Sequence, residues 1–201
     1  MTRIMHIADE NYVATATDIL EFQRFDMSAF KQNVNYEDMD YTLMLIEDNA
    51  RNVKSPKLFE NIACIIYCVD VSSYDQGRGD QNSLRCCIDE FADLISLKQC
   101  SEVPVVIILN KVEIFRRKYN IFPLDMCFRD YRGQDRDSDY ALDFIKYKFK
   151  CCHSLVGLTK VPFFREAELT EKYVCRATIE EVVKVVIEEE HVEEGNLLET
   201  R

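Results

Sequence analysis

Two short runs of residues constrain this chain more than any other feature. "NIACIIYCVDV" (61–71) and "VVIIL" (Val105–Leu109) are of strand length and apolar without alternation. A strand with both faces apolar is buried on both sides, which is the habit of central strands in parallel sheets. Each run stops abruptly at polar groups, the first at Asp70 and the second at Asn110-Lys111, with Glu113 two positions further on. Between them, "QNSLRCCIDEFADLISLKQC" sets Leu84, Cys87, Ile88, Phe91, Leu94 and Ile95 at helical spacing. Strand, amphipathic helix and strand in succession imply an α/β sheet with helical cover. Ligands in such folds gather at the carboxyl ends of the strands. Asn110, Lys111 and Glu113 sit at such an end.

Elsewhere the reading is coarser. "NVNYEDMDYTLMLIED" (33–48) is expected to form two strands joined at Glu37-Asp38, the second running from Tyr41 to Ile46. A second helix is expected at 140–155. A short strand is expected at 171–177, followed by a helix over 178–194 that opens on a Thr178/Glu181 capping box. On this reading residues 1–17 are a linker, 18–195 one domain and 196–201 a tail, with no internal repeat.

Composition narrows the partners. The 201 residues are 47% hydrophobic and 30% charged, an ordinary globular profile. A net charge of −11 argues against nucleic acid, whose phosphates it would repel. No segment reaches the roughly 18 apolar residues that a membrane span needs, and neither a signal peptide nor a lipidation box is expected, so no direct membrane anchor is. The nine cysteines lie mostly inside apolar segments, without CxxC spacing. They read as free thiols of a reducing cytosol, and no metal site is expected even where His153 follows Cys151-Cys152.

The order of pieces resembles the Ras-like domain of heterotrimeric G-protein α subunits. "IIYCVDVSSYDQ", a helix, "ILNKVEIF", "FPLDMCFRDYRG", "YVCRAT" and a terminal helix follow the family's order. From Asn82 to Gly133 the pattern lies on this chain without a gap, with Leu109-Asn110-Lys111 on the NKxD motif. The resemblance implies an α/β, Ras-like P-loop NTPase-type sheet with helices on both faces. It also implies GTP or GDP as ligand, magnesium as cofactor, and receptor and effector partners. In the motif the Asn amide meets the guanine carbonyl and ring nitrogen, and the Lys stem crosses the base plane. A carboxylate accepts from N1–H and the exocyclic amine, a donor pair that adenine lacks. The resemblance assigns these parts to Asn110, Lys111 and Glu113, a Glu where the family has Asp. It lays the guanine-backing TCAT loop on Val174-Cys175-Arg176-Ala177.

The phosphate side departs from the family. None of the five glycines stands in a GxxxxGK[ST] pattern. Without that loop the phosphates lose a nest of backbone amides, and magnesium loses its hydroxyl. Each lost charge-assisted hydrogen bond is worth about 1.5–3 kcal/mol. Gln23 stands where the family has its cis arginine, and Asp26 stands for the magnesium-ligating threonine. Leu45-Ile46-Glu47-Asp48-Asn49 replaces DVGGQ, removing the γ-phosphate sensor and the water-orienting glutamine. The expectation is an N-terminally truncated domain lacking the first strand and the P-loop. Its guanine binding is weak, magnesium is lost and there is no hydrolysis. Receptor and effector contact through the helices at 82–99 and 179–190 survives. Support for a βγ dimer is weak, because "NARNVKSPKLFE" replaces the switch that binds it. Location is cytoplasmic, or peripheral at the inner face of the plasma membrane through partners. The alternative is an interaction module that binds no nucleotide, and a thiol-dependent enzyme is the remaining class.

Overall fold

The computed structural model describes residues 30–36, 39–45, 62–78, 81–100, 103–133, 137–155, 161–169 and 173–184. The chain divides into two compact units, Met1–Glu47 and Asp48–Arg201.

The first unit contains a hairpin of β1 (Phe30–Tyr36) and β2 (Met39–Leu45), antiparallel with Tyr36 opposite Met39. The join expected at Glu37-Asp38 falls between these two strands, and both residues lie outside the described ones. Period-2 alternation puts Asn33, Asn35, Asp40 and Thr42 on one exposed face. There Thr42 donates to Asn33 (3.1 Å) and Asn35 to Asp40 (2.9 Å) across the strands.

The second unit runs β3 (Ile65–Asp70), a 3-10 turn (Val71–Asp75), the two-residue strands β4 (Gly77–Arg78) and β5 (Gln81–Asn82), and α1 (Ser83–Ile95). It continues through β6 (Val105–Asn110), α2 (Val112–Tyr119), α3 (Ser138–Leu155), β7 (Phe163–Ala167) and a helix α4 over 173–184. Strands β3, β6 and β7 form one parallel sheet in that order. Both apolar runs are therefore strands, and the parallel α/β class holds. In the middle strand Val105, Val106, Ile107, Ile108 and Leu109 are all buried. Among the described residues β3 has a ladder partner on the β6 side alone.

The helices divide between the two faces by strand parity. Val106, Ile108 and Ala167 pack with Val182 of α4, with Ile66, Leu169 and Val174 around them. On the other face Tyr67 meets Phe91 of α1 and Phe149 of α3, at ring-centroid distances of 5.1 and 6.3 Å. Phe91 and Phe149 meet edge to face at 5.3 Å. The Tyr67 hydroxyl donates to the Cys87 carbonyl at 2.8 Å, and burial pushes its pKa far up, so it stays neutral. Helix α1 begins where Asn82 accepts from the amides of Leu84 (3.0 Å) and Arg85 (3.2 Å), an N-cap worth about 1 kcal/mol. Its buried side chains are Leu84, Ile88, Phe91, Leu94 and Ile95, the stripe expected from the spacing except for Cys87, which is half-buried.

One element is corrected. Residues 171–177 were expected as a strand, but the chain is helical from 173, and the strand lies earlier at Phe163–Ala167. Val174, Thr178 and Val182 recur every four residues, and that stripe turns toward the sheet. Thr178 is accordingly buried inside the helix and does not cap it. Helix α2 was not foreseen.

Phe149 is fully buried between two aromatic partners. Phe149→Ala is expected to cost about 3–5 kcal/mol, and Phe149→Leu about 1 kcal/mol, in urea denaturation. Equal midpoints for the two variants would show that the packing described is not what holds α3 to the sheet.

Candidate functional site

The carboxyl edge of the sheet places Asp70, Asn110 and Ala167 side by side in register. Burial of Val105–Leu109 fixes β6 so firmly that its next residue, Asn110, emerges at one defined point. Lys111 then takes a left-handed backbone conformation (φ 60°, ψ 37°), the only non-glycine among the described residues with positive φ. That conformation costs a residue with a Cβ about 1–2 kcal/mol, and such strain concentrates at functional sites. It turns the chain at once from strand into α2.

Each polar side chain along this edge has at least one structural partner. Lys111 Nζ lies 2.5 Å from Asp70 Oδ2, both side chains being a little over a third exposed, so the pair is worth at most about 1 kcal/mol. The other oxygen of Asp70 accepts from the Ser72 amide (3.0 Å) and hydroxyl (2.6 Å), capping the turn that follows β3. Asn110 Oδ1 accepts from the Leu169 amide at 3.0 Å, tying the β6 end to the loop after β7. Leu169 O in turn accepts from the Cys175 thiol at 2.9 Å. Glu168 Oε1 accepts from the Glu113 amide at 3.2 Å, in the first turn of α2. The Glu113 carboxylate itself is bound to Arg116 Nη1 at 2.9 Å. Arg116 Nη2 also meets Asp139 (3.1 Å) and Glu166 (3.3 Å), and Lys146 bridges Glu166 (3.1 Å) and Asp143 (3.1 Å).

Asn110 and Lys111 thus lie at the strand edge, where the sequence puts them. Glu113 is beside them by backbone, with its side chain engaged on Arg116. Cys175, Arg176 and Ala177 do not form a loop after a strand, because all three lie within α4. Cys175 still reaches the site through Leu169, whereas Arg176 is exposed and pairs with Glu180 at 3.0 Å. The loop that follows the last strand is Glu168-Leu169. Asp70, Glu168 and Leu169 escaped the sequence reading. Asp70 ends its apolar run just as Asn110 ends the other, a signal that was present. The part of Glu168 depends on β7, which was not recognised.

Other chemistries find little support. Among the described residues no group of three His, Cys, Asp or Glu converges as a metal site. His153 is buried, and burial pushes its pKa down, so it is a neutral core histidine. Burial raises the thiols of Cys100, Cys127 and Cys152, and that of Cys87 to about 11, the reverse of nucleophile activation.

The three-stranded parallel sheet with helices on both faces, closing on Asn-Lys at the end of its middle strand, makes this an α/β domain, consistent with the Ras-like domain of G-protein α subunits. The family model of the G-protein alpha subunit matches residues 1–192, and this chain belongs to that family. It is 28% identical over 151 residues to the guanine nucleotide-binding protein alpha-2 subunit of Kluyveromyces lactis, covering 71% of this chain and 26% of that protein. It is 26% identical over 156 residues to the alpha-6 subunit of Caenorhabditis elegans, covering 76% and 43%. With the alpha-16 subunit of Caenorhabditis briggsae the identity is 22% over 191 residues, covering 93% and 54%. The chain thus spans between about a quarter and about half of the length of these curated relatives.

Asn110→Ala removes the acceptor of the Leu169 amide. It is expected to lower stability by about 1–2 kcal/mol and to speed hydrogen exchange at that amide. Unchanged exchange at Leu169 would show that something else holds the loop.

Proposed function

We propose that this chain is a G-protein α-type signal transducer with a degraded nucleotide site. It grips a guanine base weakly and does not hydrolyse GTP at a useful rate. The observation that carries the reading is the junction of Asn110 with Leu169. It supports a rim in which the end of β6 and the loop after β7 face one ligand edge. Asn110 Nδ2 has no partner among the described residues and remains available as a donor. Lys111 supplies the stem for a base plane, and an acidic side chain of the same rim completes the set. Cys175 braces the loop from behind. The family's nucleotide arrives as GTP or GDP with magnesium, whose chemistry is to offset phosphate charge. For this chain the base end of such a ligand fits the residues present. Nothing comparable among the described residues fits the metal. Gln23, Asp26 and residues 46–49, which bear on the catalytic switches, lie outside the described ones.

Receptor and effector contacts through the helices at 82–99 and 179–190 belong to the same proposal. The first contains α1, and of the second residues 179–184 lie in α4 and 185–190 outside the described residues. Peripheral residence at the cytoplasmic membrane face through partners belongs to it too, with βγ contact only weakly supported. No helix of the described residues is long and apolar enough to cross a membrane.

A second reading, an interaction module that binds no nucleotide, is favoured by one specific observation. The ammonium of Lys111 and the carboxylate of Glu113 are already satisfied within the chain. Thermal melting of the purified protein with and without GDP separates the two. A site with Kd of about 100 µM at 1 mM GDP stabilises by about 1.4 kcal/mol, raising Tm by about 3–6 °C. No shift at millimolar GDP would favour the interaction module. Submicromolar binding with magnesium-dependent turnover would overturn the claim of degradation.

A further inference from the structure

The carboxylate that the motif spacing nominates for the base edge is Glu113. Its side chain is committed elsewhere. Oε1 is bound to Arg116 one helical turn on, and Arg116 is fixed at the same time by Asp139 of α3 and Glu166 of β7. Swinging Glu113 back over Lys111 would take an acceptor from a guanidinium that three carboxylates position together.

Glu168 stands where Glu113 does not. It directly follows β7 and precedes Leu169, whose amide is bonded to Asn110. Its Oε1 accepts from the Glu113 backbone amide at 3.2 Å, so the carboxylate is held against the first turn of α2, two residues beyond Lys111. Its second oxygen has no hydrogen-bond partner among the described residues. Asn110, with an open Nδ2, and Glu168, with an open carboxylate oxygen, therefore bracket one short stretch of the sheet edge. Lys111 lies between them in chain order. A donor on one side and an acceptor on the other is the complement of a base edge that carries a carbonyl beside N–H groups.

We propose that Glu168, and not Glu113, is the specificity-determining carboxylate of this site. It accepts from the ring N–H and the exocyclic amine of a guanine base. The proposal rests on the guanine reading above and assigns its acidic group. A carboxylate offers two acceptor oxygens to those two donors, whereas hypoxanthine offers only the ring N–H and adenine offers no matching pair.

The test compares GDP with inosine diphosphate, which lacks the exocyclic amine, by competition against a fluorescent GDP analogue. The proteins are the parent chain, Glu168→Gln and Glu113→Gln. The ratio of the two affinities, read within one protein, does not depend on the fraction that is folded. The parent chain is expected to favour GDP by about tenfold or more, the loss associated with one charge-assisted hydrogen bond. Glu168→Gln should bring the ratio to within about twofold. Glu113→Gln, which releases Arg116, should shift both affinities together and keep the ratio. Collapse of the ratio in Glu113→Gln with retention in Glu168→Gln would overturn the assignment while leaving guanine binding intact. Equal binding of both ligands by the parent chain would also overturn it. Binding of neither at millimolar concentration would sink the guanine reading, and this assignment with it.

Discussion

The burial of β6 on both faces is the constraint from which the rest of the site follows. Five consecutive apolar side chains, Val105 to Leu109, are anchored between α4 on one side and the α1–α3 layer on the other. A strand held in that way cannot slip by one residue without exchanging its two faces, so its register is strongly specified. Asp70 and Ala167 are carried to the same level as Asn110 by the parallel ladders on either side. The polar edge is thus a by-product of hydrophobic register. Its positions are set by groups that never touch it.

The strained turn at Lys111 follows from the same arrangement. The strand ends and α2 begins within one residue, and the left-handed conformation of Lys111 makes that change. The cost of about 1–2 kcal/mol is tolerable because the strand before it and the helix after it are both packed, with Val112, Phe115 and Tyr119 buried. The Asp70 pair then keeps the lysine stem along the edge and away from solvent disorder.

Much of this was legible in the residues, and the failures have physical causes. β3 shows an unbroken apolar run, although only Ile65 and Val69 of it are buried. β6, α1 and α3 declare themselves because burial imposes either such a run or a clean helical stripe. α2 did not, since its eight residues carry three consecutive cations, and an apolar stripe of only three positions is too short to read. β7 was missed because Arg165 and Glu166 interrupt its pattern. In the fold Arg165 pairs with Glu181 and Glu166 with Arg116 and Lys146, so both charges are accommodated by contacts remote in sequence. Misplacing β7 displaced the loop after it, and hence the part of the site that Glu168 and Leu169 form. Asn110 and Lys111 were recognisable because a motif and the end of an apolar run coincide there. Asp70 had only the second of these signals.

The web around Arg116 and Lys146 has a practical consequence. Two cations gather four carboxylates, Glu113, Asp139, Asp143 and Glu166, in a chain that already carries a net charge of −11. Such clusters sit near the surface, where the Debye length shrinks from about 30 Å at 0.01 M salt to about 3 Å at 1 M. Raising ionic strength therefore slackens the seam between α2, α3 and β7 and unties Glu113 from its guanidinium. Buffer salt becomes a hidden variable of this molecule, able to loosen the contact of α2 with α3 and β7 without altering a single residue.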